Sequence, residues 1–510
     1  MAVHVIVVGG GLAGLAAATA LGQRGLRVTL IESRPRWGGR ASSFVDQATG
    51  QRIDNCQHVN LGCGTNFKHF CHTVGIDAFF VREKGLTFIG PDGRASSFSA
   101  APLPAPLHLF PSLVRLRYLS LSEKTKLAHA LRLLACTDPA VCGDETFLQW
   151  LERHGQSPRV IERFWHVVLV SALSETLERI DVGHARKVFV DAFLANRRGW
   201  EVWLPIVPLD EMYGAHLEQW FNEHGVTVRL QSGVKRIILE PQPESERAEN
   251  TAPQPNSRVS GVEMRSGERM HADHVILTVP QHLVLSLVPD EWQLAPQLAG
   301  IGKLETAPIS SVHLWFDRPI TDLRHAVFVG RLSQWLFNRS AIQEGGLRVE
   351  SRNTGSHFVP YPPWQGVPEG DVAPNGVERT VYYQVVISAS RDVLALGQEE
   401  TIRAVVDELA GVWPAVCQAR LVHSRLVTEH KAVISMLPGV DRLRPLQQSP
   451  IGNLQFSGDW TQTGWPGTME GAVRSGYLAA ENVLRLCGQP EKLVRPDLPP
   501  ALLSKLIFGL

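Results

Sequence analysis

The chain has 510 residues, 44% of them hydrophobic, and a formal net charge of zero because 50 basic residues balance 50 acidic ones. This length is enough for two domains, and the lack of a basic excess argues against nucleic acid as a partner. Seven cysteines occur without a CxxC pair, which indicates reduced thiols in a cytoplasmic protein and argues against a disulfide framework or a cysteine metal site.

The first informative segment is residues 3–40, VHVIVVGGGLAGLAAATALGQRGLRVTLIESRPRWGGR. It predicts a strand at His4–Val8, a helix that begins at Gly11–Leu12 and a second strand at Arg27–Ile31. The helix N-terminus would direct free N–H groups and a partial positive charge at phosphates. No basic stretch precedes the apolar run, so we expect a nucleotide-binding unit here and not a signal or membrane segment.

The glycines and one acidic residue of this segment predict binding of an ADP moiety. Gly9 permits a sharp turn, Gly11 leaves room for a pyrophosphate, and Gly14 lets the helix pack closely on the strand. Glu32 ends the second strand, where its carboxylate can accept hydrogen bonds from both ribose hydroxyls.

A second segment, residues 454–476 (LQFSGDWTQTGWPGTMEGAVRSG), extends the prediction to FAD. Asp459 can bond a ribityl hydroxyl or serve only as a helix cap, and a helix opening near Thr468 would aim its positive end at the flavin. Arg40, after two glycines, can reach the pyrophosphate, unless it is a surface charge. We assign no metal site, and to FAD we assign Gly9, Gly11, Gly14, Glu32, Arg34, Gly38, Gly39, Arg40, Val234, Gly458, Asp459, Trp465, Thr468 and Met469.

The pattern of elements predicts an α/β protein with a Rossmann-like FAD-binding domain and a discontinuous α+β substrate domain. Helices are expected after caps at Ser122 and Asp144 and from Pro208 onward, and the tracts 241–258 and 353–377 read as loop insertions. The expected divisions are 1–85, 226–285 and 450–490 for FAD, 86–225 (helical) and 286–449 (sheet) for substrate, and 491–510 as an apolar tail.

Long motifs outside the nucleotide segments carry a resemblance. They include SAAPLPAPLHLFPSLVRLRYLSLSEK (99–124), HGQSPRVIERFWHVVLVSALSETLERI (154–180), PISSVHLWFDRPITDLRHAVFVGRLSQWLFNR (308–339) and YYQVVISASRD (382–392). With them, the chain resembles the flavin amine oxidase and phytoene desaturase superfamily, and closely resembles its hydroxysqualene dehydroxylases (squalene-associated FAD-dependent desaturases) of hopanoid biosynthesis. Members of that family usually have glycine where Cys56 stands.

The resemblance implies that reduced FAD gives a hydride to hydroxysqualene, which loses its hydroxyl and becomes squalene. The departing hydroxyl needs a general acid. Glu175 is a candidate if burial keeps it protonated, although a cap or ion pair would also explain it. His58 and His313 are the other candidates, each with a structural alternative: His58 as a hydrogen-bonding residue, His313 as a core residue.

Two other functions stay open. One is oxidative: a polyene desaturase, or an amine oxidase with an aromatic cage of which Trp465 would be one wall. The other is a non-catalytic lipid-carrying flavoprotein. Because the chain contains no second GxGxxG unit, we expect its flavin to exchange electrons with a separate reductant, a quinone or oxygen.

A squalene-like substrate is found in lipid, so contact with a membrane surface is expected. Residues 107–119 (LHLFPSLVRLRYL) and 501–510 (ALLSKLIFGL) are apolar with a few basic residues and too short to span a bilayer. They would lie at the interface, or else pack on the protein or a second subunit. The expected location is cytoplasmic, peripheral on the inner face of the membrane.

Overall fold

The computed structural model describes residues 3–240, 257–293, 295–343 and 380–510. The predicted insertion 353–377, and all but the last two residues of 241–258, lie outside the described residues. Within them, five strands form a parallel sheet in the order Val226–Arg229, Arg27–Ile31, His4–Val8, His274–Leu277 and Leu454–Phe456. The sheet thus unites three segments that are far apart in the sequence.

Two helices from opposite ends of the chain pack together beside this sheet. Leu12–Gly22 is buried along its whole length, and Met469–Leu486 lies against it. The two backbones come so close that a Cβ on Gly476 would stand 2.4 Å from the carbonyl oxygen of Ala13. Both predicted helix starts are confirmed, with Gly11 and Thr468 as the N-caps.

The remaining elements near the parallel sheet are short. Three strands form a separate antiparallel sheet, because Val234–Leu239, Val259–Met264 and Arg269–His271 pair as a meander. The helix predicted from Pro208 is broken at Gly214 into Leu209–Met212 and Ala215–Glu223. Further elements are Ser43–Val45 with Arg52–Asp54, Asn60–Leu61 and Phe80–Glu83 with Val202–Pro205, and the helices Thr65–Thr73 and Gln281–Leu287.

A larger sheet forms the second half of the molecule. In the described chain it has the order Leu421–Ile434, Thr306–Phe316, Val381–Ser388, Trp335–Asn338, His325–Phe328, Leu86–Ile89 and Ala95–Phe98. All neighbouring pairs are antiparallel except His325–Phe328 with Leu86–Ile89. One face is covered by the helices Arg391–Leu396, Gln398–Ala410 and Ala415–Gln418.

Helices enclose the space between the two sheets. They are Phe110–Arg115, Leu121–Cys136, Phe147–Arg153, Pro158–Val160, Val167–Leu173 and Val182–Lys187, with π-helical turns at Ile161–His166 and Val188–Leu194, and the terminal helix Leu502–Phe508. Short helical turns occur at Asp77–Phe79, Leu107–Leu109, Pro139–Val141, Asp290–Gln293, Pro296–Ala299, Ile301–Lys303 and Val440–Arg442.

Two predicted helix caps were wrong by two residues each. Ser120, not Ser122, caps Leu121–Cys136, because its side chain and that of Glu123 form a reciprocal capping box. Thr146, not Asp144, caps Phe147–Arg153 in the same way with Gln149.

A buried carboxylate fastens the 43–54 hairpin to the larger sheet. Asp46, which is 1% exposed, accepts hydrogen bonds from Arg425 at 2.8 Å and from Thr49, and its Oδ2 lies 3.2 Å from His423 Nε2. Burial opposes ionisation, but the hydrogen bonds from Arg425 and Thr49 and the charge of His423 outweigh it and lower the pKa of Asp46 to about 2.

We expect Asp46→Asn to lower the free energy of unfolding at pH 7 by about 2 kcal/mol, because the folded-state pKa lies below the unfolded value. A carboxyl with a depressed pKa stabilises the fold fully above the unfolded pKa, near pH 4, and loses this effect as the pH falls towards 2. Urea unfolding at stepped pH should therefore show this loss in the parent and not in the variant. If the free energy of unfolding depended on pH equally in the parent and the variant, the depressed pKa of Asp46 would be contradicted.

Gly14→Ala should destabilise the fold by roughly 1–3 kcal/mol through overpacking. A Cβ at Gly14 would stand 2.0 Å from the carbonyl oxygen of Gly9 and 2.7 Å from Thr278 Oγ1. Thermal unfolding and FAD content after purification are the measurements. Gly452→Ala is the matched control, since nothing lies within 4 Å of a Cβ there, and equal losses in both variants would refute the packing argument.

Candidate functional site

A single continuous cavity of about 730 Å³ connects the parallel sheet to the space between the helices and the larger sheet. Val8, Ile31, Thr278 and Gly458, at the carboxyl ends of four parallel strands, line one end. Ligands of open α/β sheets bind outside this edge. The cavity is therefore the candidate site.

Two backbone hydrogen bonds fix the side chain of Glu32 at the carboxyl end of the strand Arg27–Ile31. Its carboxylate, 7% exposed, accepts hydrogen bonds from the backbone N–H groups of Gly10 at 2.7 Å and Arg34 at 2.8 Å and still lines the cavity. The nearby helix begins at Gly11 without a side-chain cap, so its first N–H groups face the cavity beside Leu12. The carboxylate of Glu32 could accept hydrogen bonds from a ribose here, and the free N–H groups of the helix could donate to a phosphate.

Two further glycines complete a cradle that any side chain would fill. Gly38 and Gly39 have φ values of +92° and +61°, and Gly38 pairs with Gly11 in a single parallel bridge. A Cβ on Gly38 would be 2.1 Å from the carbonyl oxygen of Ala41, and one on Gly39 would be 3.1 Å from the Cα of Gly11. The bare backbone at this point fits a pyrophosphate.

At the other side of the cradle, Arg40 joins the two nucleotide segments. Its guanidinium donates to the carboxylate of Asp459 and, at 2.7 Å, to the carbonyl oxygen of Ala432, so it is not a free surface charge. Asp459 does not cap the following helix, because Thr468 does so by accepting from the N–H of Gly471. The carboxylate and the helix start both face the cavity.

Of the residues assigned to FAD from the sequence, all but Gly14 line this cavity. Gly14 instead packs behind the cradle, against Gly9 and Thr278. The residues present thus fit the dinucleotide, since they supply a glycine cradle, two helix N-termini and a carboxylate at each end.

The far part of the cavity is apolar and aromatic. Its walls include Phe88, Phe98, Leu109, Leu116, Phe164, Val167, Phe189, Trp200, Trp335, Phe337 and Val386. Most of these residues come from the segments 86–119, 160–200 and 327–337, which the predicted substrate domain contains. Such walls suit a hydrocarbon ligand.

Glu175 does not keep its proton and does not line the cavity. The carboxylate is 0% exposed and forms a bidentate ion pair with the guanidinium of Arg391, with N–O distances of 2.6 and 2.8 Å. Burial would raise the pKa of Glu175, but the hydrogen bonds from Arg391 and its neighbours outweigh it and lower the pKa. The prediction of a protonated carboxyl was wrong, and the ion pair is the alternative that holds.

His313 is a core residue of the strand Thr306–Phe316. Its Nδ1 lies 2.7 Å from the Tyr382 hydroxyl, and the ring stacks beside Trp315 and Tyr382. Burial lowers the pKa of His313 to about 3, so the ring is neutral. It is not among the residues that line the cavity.

His58 lines the cavity, but its hydrogen bonding makes it an acceptor. Nδ1 lies 2.9 Å from the carbonyl oxygen of Cys56, so Nδ1 carries the hydrogen and Nε2 presents a lone pair. Burial, with the charge of Arg40, lowers the pKa of His58. Burial also raises the pKa of the adjacent Cys56 thiol to about 12, so this unusual cysteine is a thiol and not a thiolate.

The sequence reasoning missed a charged pair in the cavity wall. Lys187 Nζ lies 2.6 Å from Asp191 Oδ2 and 4.3 Å from the centre of the Trp465 ring. The ammonium therefore lies over the face of Trp465, the residue that would form one wall of an amine oxidase cage. A lysine and an aspartate four apart on a helix usually form a solvent-exposed pair, so the sequence carried no signal for them.

The two segments expected at a membrane lie near the open side of the cavity. In 107–119, Leu109 and Leu116 are buried in the cavity wall, Phe110 both lines the cavity and is 51% exposed, and Val114 is exposed. In the tail helix Leu502–Phe508, Phe508 lines the cavity, whereas the leucines at 502 and 506 are 81% and 83% exposed. No helix in the described ranges is long and apolar enough to cross a membrane.

Comparison with known proteins places the chain in a family. The model of the flavin containing amine oxidoreductases matches residues 12–484. The 15-cis-phytoene desaturase of Solanum lycopersicum is 24% identical over 96% of this chain and 79% of its own length. That of Synechococcus elongatus is 23% identical over 94% and 96%, and the zeta-carotene desaturase of Zea mays is 24% identical over 96% and 84%.

Solved structures show the same fold. Putrescine oxidase superposes with a TM-score of 0.64 at 15% identity, covering 95% of this chain and 99% of its own. Cyclohexylamine oxidase from Brevibacterium oxydans superposes with a TM-score of 0.63 at 18% identity, covering 96% and 100%. With the family match and the cradle described above, the chain belongs to the flavin containing amine oxidoreductases and has FAD as its cofactor.

Proposed function

We propose that this enzyme removes the allylic hydroxyl of hydroxysqualene and replaces it with a hydride, which yields squalene and water. The observation that carries the proposal is the continuity of one cavity from the FAD cradle into an apolar, aromatic chamber. Segments that resemble the hydroxysqualene dehydroxylases, above all 99–124 and 154–180, supply much of that chamber.

The surroundings suit this chemistry. FAD, bound and reduced, supplies a hydride. The apolar walls exclude water, which would otherwise capture an allylic cation. Protonation of the hydroxyl by a group in the wall would contribute roughly 10²–10⁴-fold in rate.

Desaturation of a polyene is the second candidate function. It is favoured by the relatives named phytoene and zeta-carotene desaturases, which match nearly the whole chain. The same cavity suits either lipid, and only the direction of hydride transfer differs. Amine oxidation is less well supported because Lys187 covers the ring of Trp465, and a lipid carrier would not need the complete FAD cradle.

The flavin also needs an electron partner. Within the described residues one parallel five-stranded sheet is present, and the sequence holds one GxGxxG unit. A separate reductant therefore fits the reductive reaction better than a second nucleotide bound to this chain.

An anaerobic single turnover tests the direction of the reaction. The FAD-loaded protein is reduced chemically, freed of excess reductant and mixed with hydroxysqualene in detergent. We expect the absorbance of oxidised flavin to return while squalene appears in the lipid extract, one per flavin.

The opposite half-reaction is the control. Phytoene or squalene is added to the oxidised protein without an acceptor. If a polyene bleaches the flavin and hydroxysqualene leaves reduced flavin unchanged, desaturation replaces the proposal. If neither lipid changes the flavin, the carrier function is favoured.

We also propose that the exposed leucines of the tail helix Leu502–Phe508 rest on a membrane surface. Replacing Leu502 and Leu506 together by serine should weaken binding to lipid vesicles at least tenfold, because burying a leucine contributes about 1.5–3 kcal/mol. Cosedimentation with vesicles is the measurement. The double replacement of Leu394 and Leu396, which are 44% and 38% exposed and lie outside both segments, is the matched control. Equal binding by both double variants would contradict the proposal.

A further inference from the structure

A lysine and an aspartate line the cavity at a place where apolar side chains predominate. Lys187 ends the helix Val182–Lys187, and Asp191 lies in the π-helical turn Val188–Leu194. Their side chains are 22% and 25% exposed, and Nζ and Oδ2 are 2.6 Å apart. π-helical turns often occur at functional sites, since the extra residue redirects a side chain.

The pair lies where the FAD end of the cavity meets its apolar part. The ring of Trp465, over which the ammonium stands, belongs to the turn between Asp459 and Thr468, and all three residues line the cavity. Asp497 fixes this arrangement from behind, because it accepts from Trp465 Nε1 at 3.2 Å and from Arg474 at 2.7 Å, with Lys187 Nζ at 3.5 Å. The ammonium is thus positioned close to where the flavin would bind.

The local charges balance. Lys187 and Arg474 carry two positive charges, and Asp191 and Asp497 carry two negative ones. If Lys187 gave its proton to a hydroxyl whose carbon then became cationic, the positive charge would move within the same field of carboxylates and beside the same aromatic face. The proton transfer would therefore not create an unbalanced charge.

We propose that Lys187 is the proton donor for the leaving hydroxyl, which rests on the proposed dehydroxylation. An N–H bond of Lys187 breaks as an O–H bond forms, and the C–O bond breaks with release of water. The carbon takes a hydride, with its electron pair, from the reduced flavin, which is thereby oxidised. Asp191, a positioning residue that reaches solvent, guides a proton from water back to the amine.

Four other titratable side chains, namely Glu175, His313, His58 and Glu470, fit this role less well. Glu175 and His313 do not line the cavity, and His58 presents a lone pair. Glu470 does line the cavity, and burial raises its pKa, but its two oxygens already accept N–H groups from Asn66 and Phe67. An ammonium with three hydrogens retains one beyond its pairs with the two aspartates.

The test is the single turnover with reduced, FAD-loaded variants. Lys187→Met should slow flavin reoxidation by hydroxysqualene about 10²–10⁴-fold. Lys187→Arg keeps the charge and the ion pairs but does not release a proton near neutral pH, so it should retain FAD and be slow as well. Lys235→Met is the matched control. Lys235 Nζ lies 2.9 Å from a carboxylate oxygen of Glu263, and Lys235 does not line the cavity.

Chemical rescue separates a proton donor from a residue that only positions Trp465. Methylammonium should raise the rate of flavin reoxidation in Lys187→Ala in a saturable way. It should leave the rate of Lys187→Met unchanged, because the methionine side chain fills the space that methylammonium would occupy. Parental rates in Lys187→Met, or in Lys187→Arg, would overturn the inference, and so would a slow Lys187→Ala that binds FAD but ignores methylammonium. If the parent itself does not respond to hydroxysqualene, the proposed function fails first, and this inference with it.

Discussion

Close approach of backbone to backbone at the glycines is the constraint on which the rest of the structure depends. Gly14 lies against Gly9, and Gly476 lies against Ala13, at distances where a Cβ would overlap a carbonyl oxygen. These contacts allow the first and last long helices of the chain to pack side by side beneath the same sheet edge. The cradle for FAD exists only because the two ends of the chain meet there.

Ion pairs join segments that are distant in sequence around this cradle. Arg40 pairs with Asp459, and Asp54 pairs with Arg339 where both side chains are at most 2% exposed. Desolvation takes away most of the stabilisation that such pairs would provide, so their number says little about stability. Each pair instead fixes the position of one segment, because a lone buried charge left by any other arrangement would be costly.

The cavity divides into two environments that suit the two halves of a redox reaction on a lipid. Backbone N–H groups, Glu32 and Asp459 line the end that fits FAD. Aromatic and aliphatic side chains line the remainder, and between these regions stands the ammonium of Lys187 over Trp465. A charge at this boundary is partly shielded from water, which strengthens its electrostatic effect on a ligand beside it.

Local sequence patterns were sufficient to predict those features whose physical cause spans only a few residues. The turn at Gly9, the helix start at Thr468 and the carboxylate at Glu32 follow from local backbone geometry, so their pattern was sufficient. The residue that caps a helix was harder to predict, because Ser120 and Ser122 are chemically alike. Ser120 is the cap because its side chain and that of Glu123 form the capping box.

The tertiary structure alone decided which charged residues face the cavity and in what form. Glu175 is ionised because Arg391, 216 residues later in the chain, forms an ion pair with it. No local sequence pattern indicates that pairing. Lys187 stands over Trp465 because the fold brings the end of a helix from the middle of the chain against a turn near its end. Ionisation depends on desolvation and on neighbours in space, and both are fixed only when the chain has folded.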